Sequence, residues 1–322
     1  MNRGKGGWYF GVCLSIFLIS ACCYSEKNFV KNPDFEENAE GWFTYEQQVG
    51  DKTYQSTLSI SDFEAYTGKF SLQVQTPGVR VLQGPGTNVA VDPEHGYIIS
   101  VMAKGNGKVM LCANGEGGWV RGAHTELSPD KWKELKIRRF EKGHSFTMYI
   151  VTYTEGQKVT FYIDNVKVIK EELPEYPPVE ILPIRYESED YAGNSEIVED
   201  VNANGGKYVE GSRQWDNKLV SNLPFPKTSK QVYIYLKVWV KGDNNSYISI
   251  VQEKMGRQEL YTAIPPVFEQ WVWLKTGPFT AREIGEGGVV ISSGGTNITV
   301  KLDTIVISTQ DNLTDIELDG KK

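Results

Sequence analysis

The stretch Val232-Tyr233-Ile234-Tyr235-Leu236-Lys237-Val238-Trp239-Val240 alternates without a break, so it reads as a strand with one face in a core and the other outside it. Phe70 to Gln75 and Glu134-Leu135-Lys136-Ile137 alternate in the same way, and no sustained stripe of helical spacing competes with them. Gly105-Asn106-Gly107 and Gly242-Asp243-Asn244-Asn245 supply hairpin-like turn signals. The class is therefore all-β, with the signature of sandwiches. The pattern also occurs twice. Ser100-Val101-Met102-Ala103-Lys104-Gly105 matches Lys237-Val238-Trp239-Val240-Lys241-Gly242, and Trp132-x-x-Leu135-Lys136 matches Trp271-x-x-Leu274-Lys275. Val159 to Val166 matches Ile298 to Ile305, and Gly68-Lys69-Phe70 is echoed by Gly206-Lys207-Tyr208. From Trp to closing Asp the separation is 32 residues in both halves. Ordered matches of this kind predict two copies of one sandwich topology. Between them, Glu171 to Pro183 holds Pro174, Pro177, Pro178 and Pro183 among acidic residues, a composition that stiffens a linker.

The N-terminal segment reads as processing. Arg3 and Lys5 precede an apolar run from Trp8 to Ile19, shorter than the roughly 20 residues a spanning helix needs. It ends in Ile19-Ser20-Ala21-Cys22, which resembles the bacterial lipobox; the resemblance implies that Cys22 becomes the acylated N-terminus, with a plain secretory signal as the alternative. Several acyl chains on one residue would anchor the protein stably where one would not. Removal of residues 1–21 leaves Cys23 and Cys112 as the unmodified cysteines, too few for a disulfide framework. Asp and Glu outnumber Lys and Arg by 41 to 34, a net charge of −7, which argues against nucleic acid as a partner.

The opening Asn32-Pro33-Asp34-Phe35-Glu36 with Gly41-Trp42, then Gly68-Lys69, Ser71-Leu72-Gln73-Val74 and Ile163-Asp164-Asn165, resemble carbohydrate-binding modules of the group containing families four, nine and twenty-two. Glu187-Ser188-Glu189-Asp190-Tyr191 and Gly205-Gly206-Lys207-Tyr208-Val209 resemble families six and thirty-five. The resemblance implies two tandem jelly-roll sandwiches of the galactose-binding-domain-like type. The expected organisation is a lipoprotein signal peptide over 1–21, an anchor segment over 22–27, a first module over 28–170, a Pro-rich linker over 171–180, a second module over 181–309 and a polar tail over 310–322. In one respect the second module departs from family six: Lys301 stands two residues before the closing Asp, where that family often has a sugar-contacting Asn.

Glu187 and Glu189 lie at i and i+2, so on a strand both carboxylates point to one face, where they could grip a cation or do acid–base chemistry. The family resemblance implies calcium, held by Glu36 with Asp164 in the first module and by Glu187, Glu189 and Asp303 in the second, one structural ion per module. Solvated surface acids are the alternative. His95, His124 and His144 form no zinc spacing, and Gly115-x-Gly117-Gly118 lacks the helix of a phosphate loop, so nothing in the sequence marks a catalytic centre.

Sugars present alternate C–H faces and hydroxyl edges, so a glycan site needs exposed rings beside polar groups. Alternation turns Tyr233, Tyr235 and Trp239 outward, and across the hairpin, with Ile248 and Ile250 in the core, Tyr247 faces the same outer side. Aromatic cross-strand pairs of this kind also stabilise sheets with no ligand. Trp273 shares the outward parity of Lys275; Trp215 sits in a polar loop; Trp119 with Arg121 and His124 lies in a Gly-rich connection where an isolated Trp is hard to bury. Trp42, Trp132 and Trp271 read as architecture. The expected function is non-catalytic polysaccharide binding by a lipid-anchored extracytoplasmic protein of the bacterial cell envelope. It would touch the membrane through its anchor only and work beside glycan-uptake or glycan-degrading proteins encoded elsewhere. The alternatives are a structural or adhesive envelope protein contacting proteins through the same folds and, less favoured, a polysaccharide-degrading enzyme.

Overall fold

The computed structural model describes residues 27–78, 82–153, 157–212, 217–243, 245–295 and 298–320. The leader, Cys22, Cys23 and Trp215 lie outside the described residues.

Each repeat builds one sheet of its own. In the first module the strand order is Lys133–Glu141, His95–Gly105, Thr160–Lys170, Ser71–Gln75, Thr57–Ser61; in the second it is Trp271–Phe279, Val232–Lys241, Thr299–Ser308, Lys207–Gly211, Glu196–Glu199. These are the same order drawn from equivalent strands, all antiparallel. The correspondence extends to an irregularity: pairing register shifts between Asp164 and Lys167 in one copy, and between Leu236 and Val238 opposite Asp303–Thr304 in the other. A bulge re-aims a side chain at the strand where it occurs. In both copies it falls at the closing-strand Asp.

The opposing sheets do not end at the module boundary. Trp42–Thr44, Pro85–Ala90, Ser145–Tyr153, Lys108–Gly115 and Gly118–Arg121 of the first module continue into Arg257–Ala263, Tyr247–Gln252, Val289–Gly294 and Asn217–Leu223 of the second. The joint is antiparallel pairing of Gly118–Arg121 with Arg257–Ala263, with Val120 opposite Gln258 and Arg121 opposite Arg257. Each of these is the second arm of a hairpin and the outermost strand of its own half-sheet. Unpaired edge strands invite association, and here each edge covers the other.

Two apolar cores fill the sandwiches, one around Leu72, Ile99, Phe161 and Met148, the other around Ile234, Leu236, Ile250 and Leu302. Trp42 is buried against Phe35, ring centroids 5.2 Å apart, as expected of an architectural residue. Between the modules the packing is polar. The alternation of the Lys133–Glu141 strand stops after Ile137, and Arg138, Arg139, Phe140 and Glu141 are all buried. One side of this strand faces its own core and the other faces the second module. Arg138 is fully enclosed: Nε donates to Glu171 Oε2 at 2.7 Å, Nη1 to the Glu283 carbonyl at 3.0 Å and Nη2 to the Arg282 carbonyl at 2.6 Å. Gln258 accepts from Phe140 N and donates to the Phe140 and Gly117 carbonyls. A Cβ on Gly117 would lie 2.2 Å from the Phe140 carbonyl oxygen, so only glycine lets the hairpin tip pack this closely.

The linker is anchored along its length. Glu171 holds Arg138, while the Pro177 carbonyl accepts from Ser229 N and Thr228 Oγ1.

Candidate functional site

Three of the sequence candidates converge. Along Gly118–Arg121 the strand alternates, sending Val120 into the core and leaving Trp119 and Arg121 exposed on the outer face of the shared sheet. On the neighbouring strands Met110, Cys112, Tyr149 and Val151 take the same outward parity and form a small apolar cluster apart from the main core. Tyr45 closes one end, 5.3 Å from Tyr149 in an edge-to-face contact. Trp119 stacks on Tyr149 at 5.9 Å and 25°, keeping 40% of its surface exposed. With Arg121 and His124 these residues line a cleft of about 430 Å³. An apolar floor, flat rings in the wall and two cationic or polar side chains at the rim suit a sugar face and its hydroxyls. Burial pushes the Cys112 thiol up to about 12, so it stays protonated and is a poor nucleophile. Among the described lining residues of this cleft there is no carboxylate. Tyr45 and Tyr149 were missed in the sequence. Tyr149 could have been found by its outward parity in Phe146-Thr147-Met148-Tyr149-Ile150; nothing local marks Tyr45.

The outer face of the second module is different from expectation. Tyr233, Tyr235 and Trp273 do share one face, but residues 310–320 fold onto it. Tyr235 is buried and donates to the Gln310 carbonyl at 2.8 Å, Trp273 Nε1 donates to Asp319 Oδ1 at 3.2 Å, and Leu318 of the short Asp315–Leu318 helix packs beside them. The open platform is corrected to a covered one, because this face is apolar enough to recruit the chain's own end, and the tail is a folded cover. Tyr247 is also corrected. The Val232–Lys241 and Tyr247–Gln252 strands belong to opposite sheets, so the loop between them crosses the sandwich and Tyr247 lies over Gly294, away from Trp239. Trp239 remains half-buried, directly opposite Trp271 and under Lys301, whose Nζ is 4.7 Å from its ring centroid. Trp271 is 37% exposed, more than a purely architectural role requires.

The carboxylates separate by module. Glu36 Oε1 accepts from the backbone N–H groups of Lys69 and Phe70, at 2.7 and 3.0 Å; the Phe70 and Lys69 bonds hold its carboxyl below the usual range. Asp164 accepts from the N–H groups of Tyr66, Thr67 and Asn165, which oppose the upward push of burial. In the second module Glu187 Oε2, Glu189 Oε2 and Asp303 Oδ1 are buried without a hydrogen-bond partner. Burial, then the charges of Glu187 and Glu189, push the Asp303 carboxyl up to about 6 against the pull of Asn204 N–H and of Lys237, whose Nζ is 4.0 Å away. Burial and Glu189 likewise raise Glu187. Orphaned buried oxygens of three mutually repelling carboxylates are what a cation would relieve. Among the described residues no three His, Cys, Asp or Glu side chains form a ready cage, so backbone oxygens would have to complete the set.

Residues 27–163 match the family described as Carbohydrate binding domain. No curated protein matches the chain. Among solved structures, the tandem CBM22-1–CBM22-2 domain of Paenibacillus barcinonensis Xyn10C is 16% identical, over 91% of this chain and 100% of that one, with a TM-score of 0.40. The CBM22-1 xylan-binding domain of the same protein is 19% identical, over 46% of this chain and 97% of that one, TM-score 0.38. TmCBM61, solved with beta-1,4-galactotriose, is 16% identical, over 45% of this chain and 99% of that one, TM-score 0.36. The family match covers the module that carries the Trp119 cleft.

Proposed function

We propose that the protein is a non-catalytic polysaccharide-binding protein that holds glycan at the bacterial cell envelope, anchored through lipid on Cys22. The observation that carries the binding reading is the cleft in which the exposed Trp119 ring, stacked on Tyr149, stands over an apolar floor with Arg121 and His124 at the rim. Affinity electrophoresis of the full chain through gels containing plant, algal, host and microbial polysaccharides tests it. At least one polymer should retard the protein, with retardation lost in Trp119→Ala and kept in Trp239→Ala. Retardation by none of them, or release of reducing ends from any, sinks the reading.

A structural calcium ion belongs to the same proposal, for the second module. Glu187, Glu189 and Asp303 would hold it, with carbonyl oxygens of the Asn204–Gly206 turn, beside which Glu189 already lies. The ion would tie the opening segment to the closing strand. For the first module the backbone N–H groups already serving Glu36 and Asp164 make an ion there less needed. Neither carboxylate in that module is left with an orphaned buried oxygen.

A further inference from the structure

The pairing that joins the modules places two guanidinium groups face to face. Arg121 and Arg257 are directly opposite in register, so both side chains leave the shared sheet on the same side. Like charges at such a position disfavour the pairing. Arg257 is neutralised by Glu253 Oε1 at 3.1 Å, bonds Ser292 at 2.7 Å and has Glu259 at 3.9 Å. Arg121 is exposed and has no carboxylate within ion-pairing distance among the described residues, in a chain with an excess of carboxylates. It also occupies a particular place. Beside the seam lies a second cavity, of about 370 Å³, walled by the hairpin tip at Gly117 and Gly118 and by Arg257, Glu259 and Tyr261 of the second module. Arg121 and Trp119 line both this cavity and the aromatic cleft. Of the other charged groups there, Lys142 is held by Glu283 at 2.9 Å, and Glu116 and Glu259 stand exposed at the rim.

We infer that the seam is a subsite for an acidic sugar, in which Arg121, backed by Arg257 across the joint, binds the carboxylate of a uronic acid residue while the same glycan chain continues over Trp119. The inference rests on the glycan-binding reading of the Trp119 cleft. A planar guanidinium pairs with a carboxylate through two parallel hydrogen bonds, which gives both charge and orientation. Exposed Glu116 and Glu259 accept hydrogen bonds from sugar hydroxyls on either side. Neither module has this subsite alone, because Arg121 and the strand of Arg257 opposite it come from different modules.

The test uses the full chain with polygalacturonate, alginate and glucuronoxylan, each beside its methyl-esterified or carboxyl-reduced counterpart, which keeps the sugar backbone and removes the charge. At least one charged polymer should bind roughly tenfold or more tightly than its uncharged counterpart, with the preference falling as salt rises. Arg121→Gln should erase that preference, so that the charged polymer binds no more tightly than its uncharged counterpart, with Tm unchanged; Arg121→Lys should restore part of it. An undiminished preference in Arg121→Gln, or no preference in the unaltered chain, overturns the seam subsite while leaving the cleft reading intact. Binding that survives Trp119→Ala but still depends on Arg121 overturns the cleft instead. Retention of the chain by no polymer, charged or neutral, overturns both.

Discussion

Trp119 is the residue on which the binding reading turns. Its neighbour Val120 is fully buried, so the ring is held outward by strand parity and supported from behind by Tyr149. Trp119→Ala should weaken glycan binding by about 2 kcal/mol, roughly thirtyfold, without lowering Tm, as measured by titration calorimetry and thermal melts. A second residue-scale prediction concerns Asp303. Its folded pKa lies near 6, above the 3.8 of a free carboxyl, so without metal the folded state takes up a proton that the unfolded chain does not. This group's contribution to ion-free stability is therefore largest below about pH 4 and is lost as pH rises through 6. Bound calcium requires the carboxylate, so the increase in Tm on adding calcium after chelation should be largest above pH 7 and fade below 6. An unchanged Tm after chelation at pH 7.5 would remove calcium from the proposal. Asp303→Asn should abolish the calcium response. In the sequence, spacing singled out Glu187 and Glu189, and motif resemblance added Glu36, Asp164 and Asp303. Their different states were not visible, because whether a carboxyl oxygen meets a backbone N–H depends on how a turn more than thirty residues away is seated.

At the scale of single elements, the C-terminal segment shows how a strand face changes meaning in context. Alternation over Val232–Lys241 correctly separates the buried Ile234, Leu236 and Val238 from Tyr233, Tyr235 and Trp239. It gives no sign of what covers the second set. That cover is the segment ending in Asp315–Leu318, whose Thr314 forms a capping box with Glu317 and whose Leu318 is 2% exposed. Leu318→Ala should cost about 2 to 3 kcal/mol, read from denaturant unfolding, and make Tyr235 and Trp273 more accessible to quenchers. Unaltered fluorescence and stability would mean the segment contributes little to holding that face. That residues 310–322 are a polar segment was legible in the sequence. Its docking was not, since one short helix has no stability of its own and forms only against a surface.

For the whole molecule, the decisive feature is the seam. Gln258 satisfies both polar groups of the Phe140 backbone and the Gly117 carbonyl, and Arg138 spans the interface without exposure. Calorimetry should show one cooperative transition for both modules. Gln258→Ala leaves buried backbone groups unpaired and should cost about 1 to 3 kcal/mol and separate the melt into two steps. Two independent transitions in the unaltered protein would contradict this joint.

By itself the sequence determined the all-β class, the duplication and the equivalence of strands between copies. Side-chain alternation and repeated spacing follow from the pleat and from the length of each sheet crossing, both of which are local properties. It also placed Trp119, Arg121 and His124 together, because they are close in the chain. The tertiary structure alone decided that the two modules share a sheet, that Arg121 meets Arg257, and that the second module's aromatic face is covered from within. Each of these depends on which edge or face finds a partner far along the chain. A strand carries the same alternation whether its edge or its face meets solvent, a neighbouring module or a distant segment of its own chain.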